Sequence, residues 1–319
     1  MRLRSQFELI QIIRNYFREQ GFLDVLTPPA VENPGMEVHI HPFQLHSVQK
    51  KKLKPLYLHT SPEFCMKELL VSAEGFDKIF TLSYCFRDEP ESPVHRPQFL
   101  MLEWYRKNER YESIMKDVQG LIEYALEEGQ KKGLPVRGAI KGQRLVKKTM
   151  QQLFQEELGI DILNYLNVPA IQKLLKRFPD VPVPDTDLEW DDYFFLLYLN
   201  KVEPQFKKYP LLMITEFPAP LSALSTLKAN DSRVCERFEV YINGIELCNC
   251  FNELTDANEQ KKRFQSQNVL KQRLYDYELP EPKSFYRTME KGLPPSAGIA
   301  LGVERLLHSL FEIENPFYS

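Results

Sequence analysis

Apolar residues recur at spacings of three and four in several parts of the chain, which is the spacing of helices that bury one face. Within residues 6–20 the recurring apolar positions are Phe7, Ile10, Ile13 and Phe17. This pattern predicts an amphipathic helix that ends at Gly21. The run Thr60-Ser-Pro-Glu63 places a hydroxyl, a proline and a carboxylate where helices begin, and it predicts a second helix that continues to about Val71.

Two strands are predicted over residues 78–87 and 97–106, because bulky and smaller side chains alternate there. The first strand alternates two sets: Phe80, Leu82, Tyr84 and Phe86 against Thr81, Ser83, Cys85 and Arg87. The second strand alternates two further sets: Leu100, Leu102 and Trp104 against Phe99, Met101, Glu103 and Tyr105. Successive side chains of a strand point to opposite faces. We therefore expect one face toward the core and one face toward a ligand.

Helical spacing dominates about residues 111–200, and a further strand is predicted near residues 211–215. Strands and helices follow one another without a regular β-α-β alternation or an internal repeat. This order predicts an α+β fold in which helices flank an antiparallel β-sheet. We expect one domain over residues 1–319, with a largely helical insertion at about residues 111–200.

Composition narrows the possible functions. The 319 residues are 43% hydrophobic, and 41 basic against 44 acidic side chains give a formal net charge of −3. No run of about 18 apolar residues predicts a membrane span, and the first residues do not resemble a signal peptide. Five cysteines without a C-x-x-C pair favour the reducing cytoplasm over a disulfide framework. The sequence lacks the glycine patterns of dinucleotide and P-loop sites and the basic clusters of a broad nucleic-acid surface.

The pair Asn243-Gly244 stands between β-branched and aromatic residues, which is the strongest short signal for a tight hairpin. A two-residue turn would give these pairs: Ile242 with Ile245, Tyr241 with Glu246, and Glu239 with Cys248. Glu239 and Glu246 would then be diagonal neighbours, and two such carboxylates suit Mg²⁺ that substrate phosphates also bind. A solvated face with diverging glutamates is the alternative. Glu253 would join them only if the strand bulged between residues 248 and 252.

Two arginines are candidate anion-binding groups. Arg87 ends a strand on its small, polar face, where a guanidinium could bind a carboxylate or phosphate through two parallel hydrogen bonds. Arg305 follows an apolar strand and falls in the first turn of a helix, where a cation is favoured if an anion shares the site. An ion pair with a neighbouring acid is the alternative for each arginine.

Longer motifs then carry a family resemblance. One runs Phe86-Arg-Asp-Glu89 and continues as His95-Arg-Pro-Gln-Phe-Leu-Met-Leu-Glu-Trp-Tyr105; it resembles motif 2 of the class II aminoacyl-tRNA synthetases. Another, Gly298-Ile-Ala-Leu-Gly-Val-Glu-Arg305, resembles motif 3 of that family. Four further stretches resemble the lysyl branch of the family in particular: Thr60-Ser-Pro-Glu63, Glu239, Glu246-Leu-Cys-Asn249 and Phe251-Asn-Glu-Leu-Thr-Asp256. The resemblance covers nearly the whole chain and implies the class II catalytic core.

For the amino-acid substrate, the resemblance implies six binding residues: Ser61, Glu63, Tyr105, Asn249, Glu253 and Ala300. Glu63 would bind the amine nearest the carboxylate, while Tyr105 and Glu253 would bind the distal ammonium. Arg87 and Arg305 would be the catalytic arginines, the first on the substrate carboxylate and α-phosphate and the second on the γ-phosphate.

For ATP, the resemblance implies contacts from these residues: Arg87, Asp88, Glu89, Arg96, Phe99, Glu246, Leu247, Gly302 and Arg305. Phe99 would stack on adenine, and Glu239 with Glu246 would bind Mg²⁺. Three positions depart from the family pattern. Arg96 replaces an asparagine, Val94 replaces an arginine of the lysyl enzymes, and Cys250 replaces a glycine.

The sequence begins directly on the helix before motif 1, and we expect no anticodon-binding domain. In this it resembles truncated lysyl-tRNA synthetase paralogs that activate (R)-β-lysine and transfer it to a lysine side chain of translation elongation factor P. Ala300 fits that group, since lysyl-tRNA synthetases resemble it with glycine there. The resemblance implies ATP, a lysine-like amino acid, that acceptor and a homodimer, and makes tRNA an unexpected partner. A minimal synthetase that charges tRNA and a non-catalytic lysine sensor are the alternatives.

Overall fold

The computed structural model describes residues 2–49, 54–72, 75–90 and 96–313. Its helices are α1 (Arg2–Glu19), α2 (Glu63–Val71), α3 (Tyr111–Lys131), α4 (Met150–Leu158), α5 (Val168–Leu175), α6 (Trp190–Leu197), α7 (Ala257–Tyr275), α8 (Lys283–Glu290) and α9 (Val303–Leu310). Its strands are β1 (Leu23–Asp24), β2 (Ala30–Val31), β3 (Gln44–Leu45), β4 (Leu56–Leu58), β5 (Lys78–Phe86), β6 (Gln98–Lys107), β7 (Val146–Thr149), β8 (Leu211–Pro218), β9 (Leu227–Lys228), β10 (Asp231–Ile242), β11 (Ile245–Asn252) and β12 (Ser296–Gly302). Val94 and His95 lie outside the described residues.

The main sheet has the strand order β1-β5-β6-β12-β11-β10-β8-β7, with β9 paired to β10. The central pairs are antiparallel, whereas β1 with β5 and β7 with β8 are parallel. The predicted α+β class is therefore confirmed, and the parallel pairs are confined to the two edges. None of the described helices combines the length and the apolar character that crossing a bilayer requires.

One face of the sheet forms the principal core with α1, α3 and α9. Phe17 of α1, Trp104 of β6 and Leu307 of α9 are fully buried in this core. The alternation predicted for β6 is confirmed, since Leu100, Leu102 and Trp104 join the core while its odd-numbered residues 99–105 line a cavity on the other face.

Two smaller cores cover the opposite face. The helices α4, α5 and α6 pack with β8 and β10 in one of them, around residues such as Phe154, Phe194 and Phe206. The helices α2, α7 and α8 pack around Phe264 and Phe285 in the other. The helices predicted for about residues 111–200 thus belong to two cores. Helix α3 packs against α1 in the principal core, whereas α4, α5 and α6 form the separate core described above.

The hairpin of β10 and β11 has the predicted turn but not the predicted register throughout. Asn243 and Gly244 have φ values of 51° and 78°, as a type I′ turn requires, and Tyr241 faces Glu246 as predicted. The predicted pairing of Glu239 with Cys248 is wrong, because Glu239 faces Asn249 instead. A β-bulge causes the difference: Val240 pairs with Cys248 while Tyr241 pairs with Glu246, which leaves residue 247 without a partner on β10.

Candidate active site

A cavity of about 790 Å³ opens on the face of the sheet opposite α1 and α3. Its floor is formed by β6, β12 and β11, and its walls include the start of α2, residues 219–224 and one side of α7. The structure brings together most of the residues that the sequence predicted for the site: Ser61, Glu63, Arg87, Glu89, Arg96, Phe99, Tyr105, Glu246, Leu247, Asn249, Glu253, Ala300, Gly302 and Arg305.

Two predicted residues are not among those that line the cavity. Asp88 is exposed, and its backbone N–H donates to the carbonyl oxygen of His41 at 2.7 Å. Glu239 is only 6% exposed, and its carboxylate accepts hydrogen bonds from Tyr241 and from the cavity-lining Arg237. Glu239 can therefore act on a ligand only through its charge or after a rearrangement of these contacts.

The bulge in β11 determines which side chains reach the cavity. By strict alternation Glu246 and Glu253 would lie on opposite faces, because seven positions separate them. One extra residue at position 247 reverses the alternation, so that Asn249, Phe251 and Glu253 line the cavity together with Glu246. The sequence predicted that Glu253 joins the site only if the strand bulges between residues 248 and 252. The structure has such a bulge at residue 247, one position before that interval.

One end of the cavity is acidic, and two of its carboxylates contact a buried lysine to which the sequence assigned no role. The Nζ of Lys67 lies 2.6 Å from Glu63 Oε1 and 2.6 Å from Glu253 Oε2, and its side chain is 1% exposed. Glu103 is buried beside them and accepts a hydrogen bond of 3.4 Å from the Tyr105 hydroxyl. This acidic end combines three carboxyl groups with one internal cation.

Glu253 Oε1 is buried and has no hydrogen-bond partner in the part of the chain that the structure describes. Burial is the main cause that raises the pKa of the Glu253 carboxyl to about 7, and the charge of Glu63 adds to it against the opposing effect of Lys67. Burial likewise raises the pKa of Glu103 well above its usual value. An ammonium group entering here would meet carboxyl oxygens whose own counter-charge is incomplete.

Gly298 allows this arrangement because the ring of Tyr105 lies directly over its backbone. The two residues are cross-strand partners on β12 and β6. A Cβ at position 298 would lie 2.1 Å from Tyr105 Cε1 and 2.6 Å from Glu253 Oε1. Any side chain here would therefore displace the two groups that form the predicted distal-ammonium site.

The other end of the cavity carries guanidinium groups. The Nε of Arg87 is buried and, among the described residues, has no hydrogen-bond partner. Its guanidinium carbon lies 5.1 Å from the ring centroid of Phe99. Adenine could stack on that same ring face only if the guanidinium turned away from it. Arg305 donates from Nη1 to the backbone carbonyl of Glu246 at 2.9 Å.

The carboxylate of Glu246 faces this same end, and 43% of its side chain is exposed. Desolvation and then the charge of Glu239 raise the pKa of the Glu246 carboxyl to about 7, against the effect of Arg305. Mutual repulsion of two carboxylates is the electrostatic setting that a divalent cation relieves. The two glutamates therefore fit a magnesium ion, although Glu239 already accepts hydrogen bonds from protein groups.

Several cavity residues had no assigned role in the sequence analysis. Arg237 donates from Nε to Asn249 Oδ1 at 3.0 Å and so orients a predicted substrate-binding amide. Glu304 accepts from the backbone N–H of Leu100 at 2.7 Å, and desolvation raises the pKa of the Glu304 carboxyl to about 7. Lys67, which contacts two cavity carboxylates, could have been suspected from Glu63 four residues earlier on one helix face, but its second partner, Glu253, lies just after distant β11.

Comparisons with known proteins agree with this geometry. A family model described as tRNA synthetases class II (D, K and N) matches residues 1–315. The chain is 35% identical over 316 residues to "Elongation factor P--(R)-beta-lysine ligase" of Histophilus somni (strain 2336), which covers 98% of this chain and 92% of the relative. Proteins of the same name are 34% identical over 307 residues in Edwardsiella ictaluri (strain 93-146), covering 96% and 89%, and 33% identical over 315 residues in Proteus mirabilis (strain HI4320), covering 98% and 91%.

Proposed function

The chain belongs to the class II tRNA synthetase family, and from this premise we propose that it is an ATP-dependent ligase for (R)-β-lysine. It activates the amino acid as an aminoacyl-adenylate and transfers it to a lysine side chain of elongation factor P. The names of its relatives support the substrate and the acceptor. Ala300 on the cavity floor, opposite Glu103 and Asn249 in register, also agrees with this substrate.

One observation supports the proposal most directly: a single cavity has an acidic end at Glu253 and a guanidinium end at Arg87. Within the described residues, Glu253 Oε1 and Arg87 Nε are both buried without a hydrogen-bond partner. Tyr105 and Phe99 mark the two ends on β6 and are six residues apart. Six residues of strand span roughly 20 Å. This length suits an amino acid with a distal ammonium whose carboxylate is joined to a nucleotide.

In the first step a carboxylate oxygen of β-lysine attacks the α-phosphorus of ATP. A bond forms between the carboxylate oxygen and the α-phosphorus while the bond from the α-phosphorus to pyrophosphate breaks. Pyrophosphate leaves with the electron pair of the broken bond. The guanidinium of Arg87 holds both reacting groups and neutralises the charge that builds up between them. Glu63, Glu253 and Tyr105 fix the amino groups, so that the carboxylate is directed at Arg87.

Glu246 and Glu239 would hold Mg²⁺. When bound there, the ion would supply positive charge that offsets the negative charge of the substrate phosphates. Residues 2–49, 54–72, 75–90 and 96–313 contain no group of three or more histidine, cysteine, aspartate or glutamate side chains that could hold an ion by themselves. Phosphate oxygens of ATP would therefore have to complete the coordination.

In the second step the neutral ε-amine of the acceptor lysine attacks the carbonyl carbon of the adenylate. An amide bond forms, the bond from the carbonyl carbon to the AMP oxygen breaks, and the amine releases a proton. No side chain of this enzyme becomes covalently attached. The contribution of the protein is to orient the substrate and to stabilise charge.

We also propose a homodimer formed through the region that resembles motif 1. Apolar side chains are exposed on α1 and just after it: Leu3, Phe7, Leu23 and Leu26. Leu26 is 88% exposed. Large exposed apolar side chains in a region that resembles a dimer motif are candidates for a protein–protein interface. Sedimentation of the purified protein would show a dimer that a charged substitution at Leu26 dissociates.

The test of the ligase proposal is ATP–pyrophosphate exchange with each lysine isomer, followed by mass measurement of purified elongation factor P after incubation with enzyme, ATP and (R)-β-lysine. We expect exchange to respond more strongly to (R)-β-lysine than to α-lysine and the acceptor to gain one lysyl group. Arg87→Ala should abolish exchange, whereas Arg144→Ala, at an exposed arginine outside the cavity, should not.

Two outcomes would favour other functions. Efficient charging of bulk tRNA with lysine would indicate a minimal lysyl-tRNA synthetase. Binding of lysine without formation of AMP or pyrophosphate would indicate a sensor.

A further inference from the structure

Segment 35–41 forms part of the cavity wall through Met36, Glu37 and Ile40. The segment precedes the short strand β3 and has no regular secondary structure of its own. Glu37 is its acidic residue, and neither the motifs nor the roles described above assign it a function. A carboxylate in the wall of a substrate cavity is costly unless a ligand or a neighbour supplies positive charge.

The side chain of Glu37 is folded back so that its carboxylate lies beside residue 35. The backbone N–H of Met36 donates to Glu37 Oε2 at 3.0 Å. A Cβ at Gly35, which has a φ of 140°, would lie 2.6 Å from the same oxygen and 2.9 Å from Thr60 Oγ1. Glycine at position 35 is therefore required for both the backbone conformation and the position of this carboxylate.

Helix α7 holds the segment in place through a buried lysine. The Nζ of Lys271 donates to the backbone carbonyls of Glu37, Val38 and Ile40 at 3.0, 2.8 and 2.8 Å. The Gln267 side chain accepts from the backbone N–H of Val38 at 3.1 Å. Four hydrogen bonds from one helix thus hold the backbone at Glu37 in place, and this backbone positions the Glu37 side chain at the cavity wall.

Glu37 lines the same cavity as Glu63 and Arg87, the two residues assigned to the nearer amine and the carboxylate of the amino acid. Burial and then the negative charge of Glu63 raise the pKa of the Glu37 carboxyl, and the guanidinium of Arg87 opposes this effect. Glu37 therefore interacts electrostatically with Glu63, which is predicted to bind the nearer amine, and with Arg87, which is predicted to bind the substrate carboxylate. In residues 2–49, 54–72, 75–90 and 96–313, no lysine or arginine side chain forms an ion pair with it.

Glu63 alone is a poor partner for a substrate ammonium, because its Oε1 already pairs with Lys67 at 2.6 Å. A second ammonium would have to share that carboxylate with Lys67 in a largely desolvated site. Glu37 supplies a second carboxyl group in the wall of the same cavity, and its side chain is not the partner of Lys67.

We propose that Glu37 is a substrate-binding residue that shares with Glu63 the amino group nearest the substrate carboxylate, and that Lys271 is the positioning residue for it. The proposal rests on the ligase function above, because it takes a diamino acid to be the substrate. The distal ammonium stays with Glu253 and Tyr105. Glu37 thereby contributes to selection for an amino acid that carries the nearer amino group.

The test is a cycle that combines Glu37→Gln with removal of the nearer amino group from the ligand. (R)-β-lysine and 6-aminohexanoic acid differ by that one group. We expect Glu37→Gln to weaken binding of β-lysine by about 10- to 100-fold, the range of one charge-assisted hydrogen bond. Its affinity for 6-aminohexanoic acid, measured by calorimetry, should stay within about twofold. Glu37→Asp, which keeps the charge but retracts it, should give an intermediate loss for β-lysine.

The matched control is Glu32→Gln, on the same part of the chain but with an exposed side chain paired to Lys54; it should change neither affinity. Equal weakening of both ligands by Glu37→Gln, or no weakening of either, would overturn the proposal. The ligase function is judged separately by wild-type exchange. If the wild type activates α-lysine instead, the same cycle applies, since removal of the α-amino group also yields 6-aminohexanoic acid.

Discussion

Substitution of Gly298 by alanine should damage the amino-acid end of the site without affecting the nucleotide end. Gly298 lies within β12 and does not have a positive φ, so the backbone itself accepts alanine. The added methyl would lie 2.1 Å from Tyr105 Cε1 and 2.5 Å from its Cδ1, in addition to 2.6 Å from Glu253 Oε1. The ring and the carboxylate must both move, because the backbone on either side is held by cross-strand pairing.

The expected size of the effect follows from these contacts. Overpacking in a well-packed region costs about 1–3 kcal/mol of the free energy of unfolding. Loss of a hydrogen bond to a charged group removes about 1.5–3 kcal/mol of binding, which is about 10- to 100-fold in kcat/KM. The loss should appear as a higher KM for the amino acid. The KM for ATP should change little, because Phe99 is six strand residues from Tyr105, roughly 20 Å.

The assay is pyrophosphate exchange with each substrate varied in turn, together with thermal unfolding. Gly138→Ala is the control for activity, since nothing lies within 4 Å of a Cβ there. Gly302→Ala compares stability on the same strand, because its nearest contact would be 3.4 Å from Arg305 Cδ. The reasoning would be refuted by a Gly298→Ala enzyme with wild-type KM for the amino acid, or by equal losses of stability in both strand variants.

Two further predictions concern buried charges. Lys67→Met should lower the free energy of unfolding by about 3–5 kcal/mol, because two carboxylates lose their cation. β-lysine should then raise the melting temperature of this variant more than that of the wild type. The control Lys54→Met, at an exposed ion pair, should lower the free energy of unfolding by less than about 1 kcal/mol. Glu304 has a folded-state pKa of about 7, above its unfolded value, so its contribution to stability is full below about pH 4.5 and is lost as the pH rises through 7. Glu304→Gln should therefore stabilise the protein at pH 8, by up to roughly 3 kcal/mol, and not at pH 5; equal effects at both pH values would contradict this sign.

The elements that the sequence predicted well are those set by short-range patterns. Alternation along β6 separates a core face from a cavity face, because successive side chains of a strand point to opposite faces. The same prediction for β5 holds only in part: Phe80 and Leu82 pack in the principal core, but Tyr84 is exposed. The small-face residues Thr81, Ser83 and Cys85 are not among those that line the cavity. The turn at Asn243 and Gly244 was predictable because these residue types accept positive φ at low cost. Motif 3 likewise forms the strand β12 followed at once by α9, as its pattern indicated.

What the sequence could not predict depends on pairing between distant segments. The bulge at residue 247 leaves no mark in the alternation, because an unpaired residue is defined only against the partner strand. Lys67 of α2 pairs with Glu253, which is 186 positions later in the chain. Glu37 lies in a segment without periodic pattern, and its place in the cavity wall depends on Lys271 of α7.

The orientation that we propose for the substrate follows from the antiparallel order of β6, β12 and β11. Along β6 the chain passes from Phe99 at the nucleotide end to Tyr105 at the amine end, and β12 returns from Gly298, opposite Tyr105, toward Gly302 and the arginine of α9. Strand β11 then runs in the direction of β6, so that its early residues lie at the nucleotide end and Glu253, just after it, lies at the amine end. Without the bulge, a strand could not present acids seven positions apart to one cavity. A single unpaired residue therefore lets β11 serve both ends, with one acid suited to a phosphate-bound cation and the other to an ammonium group.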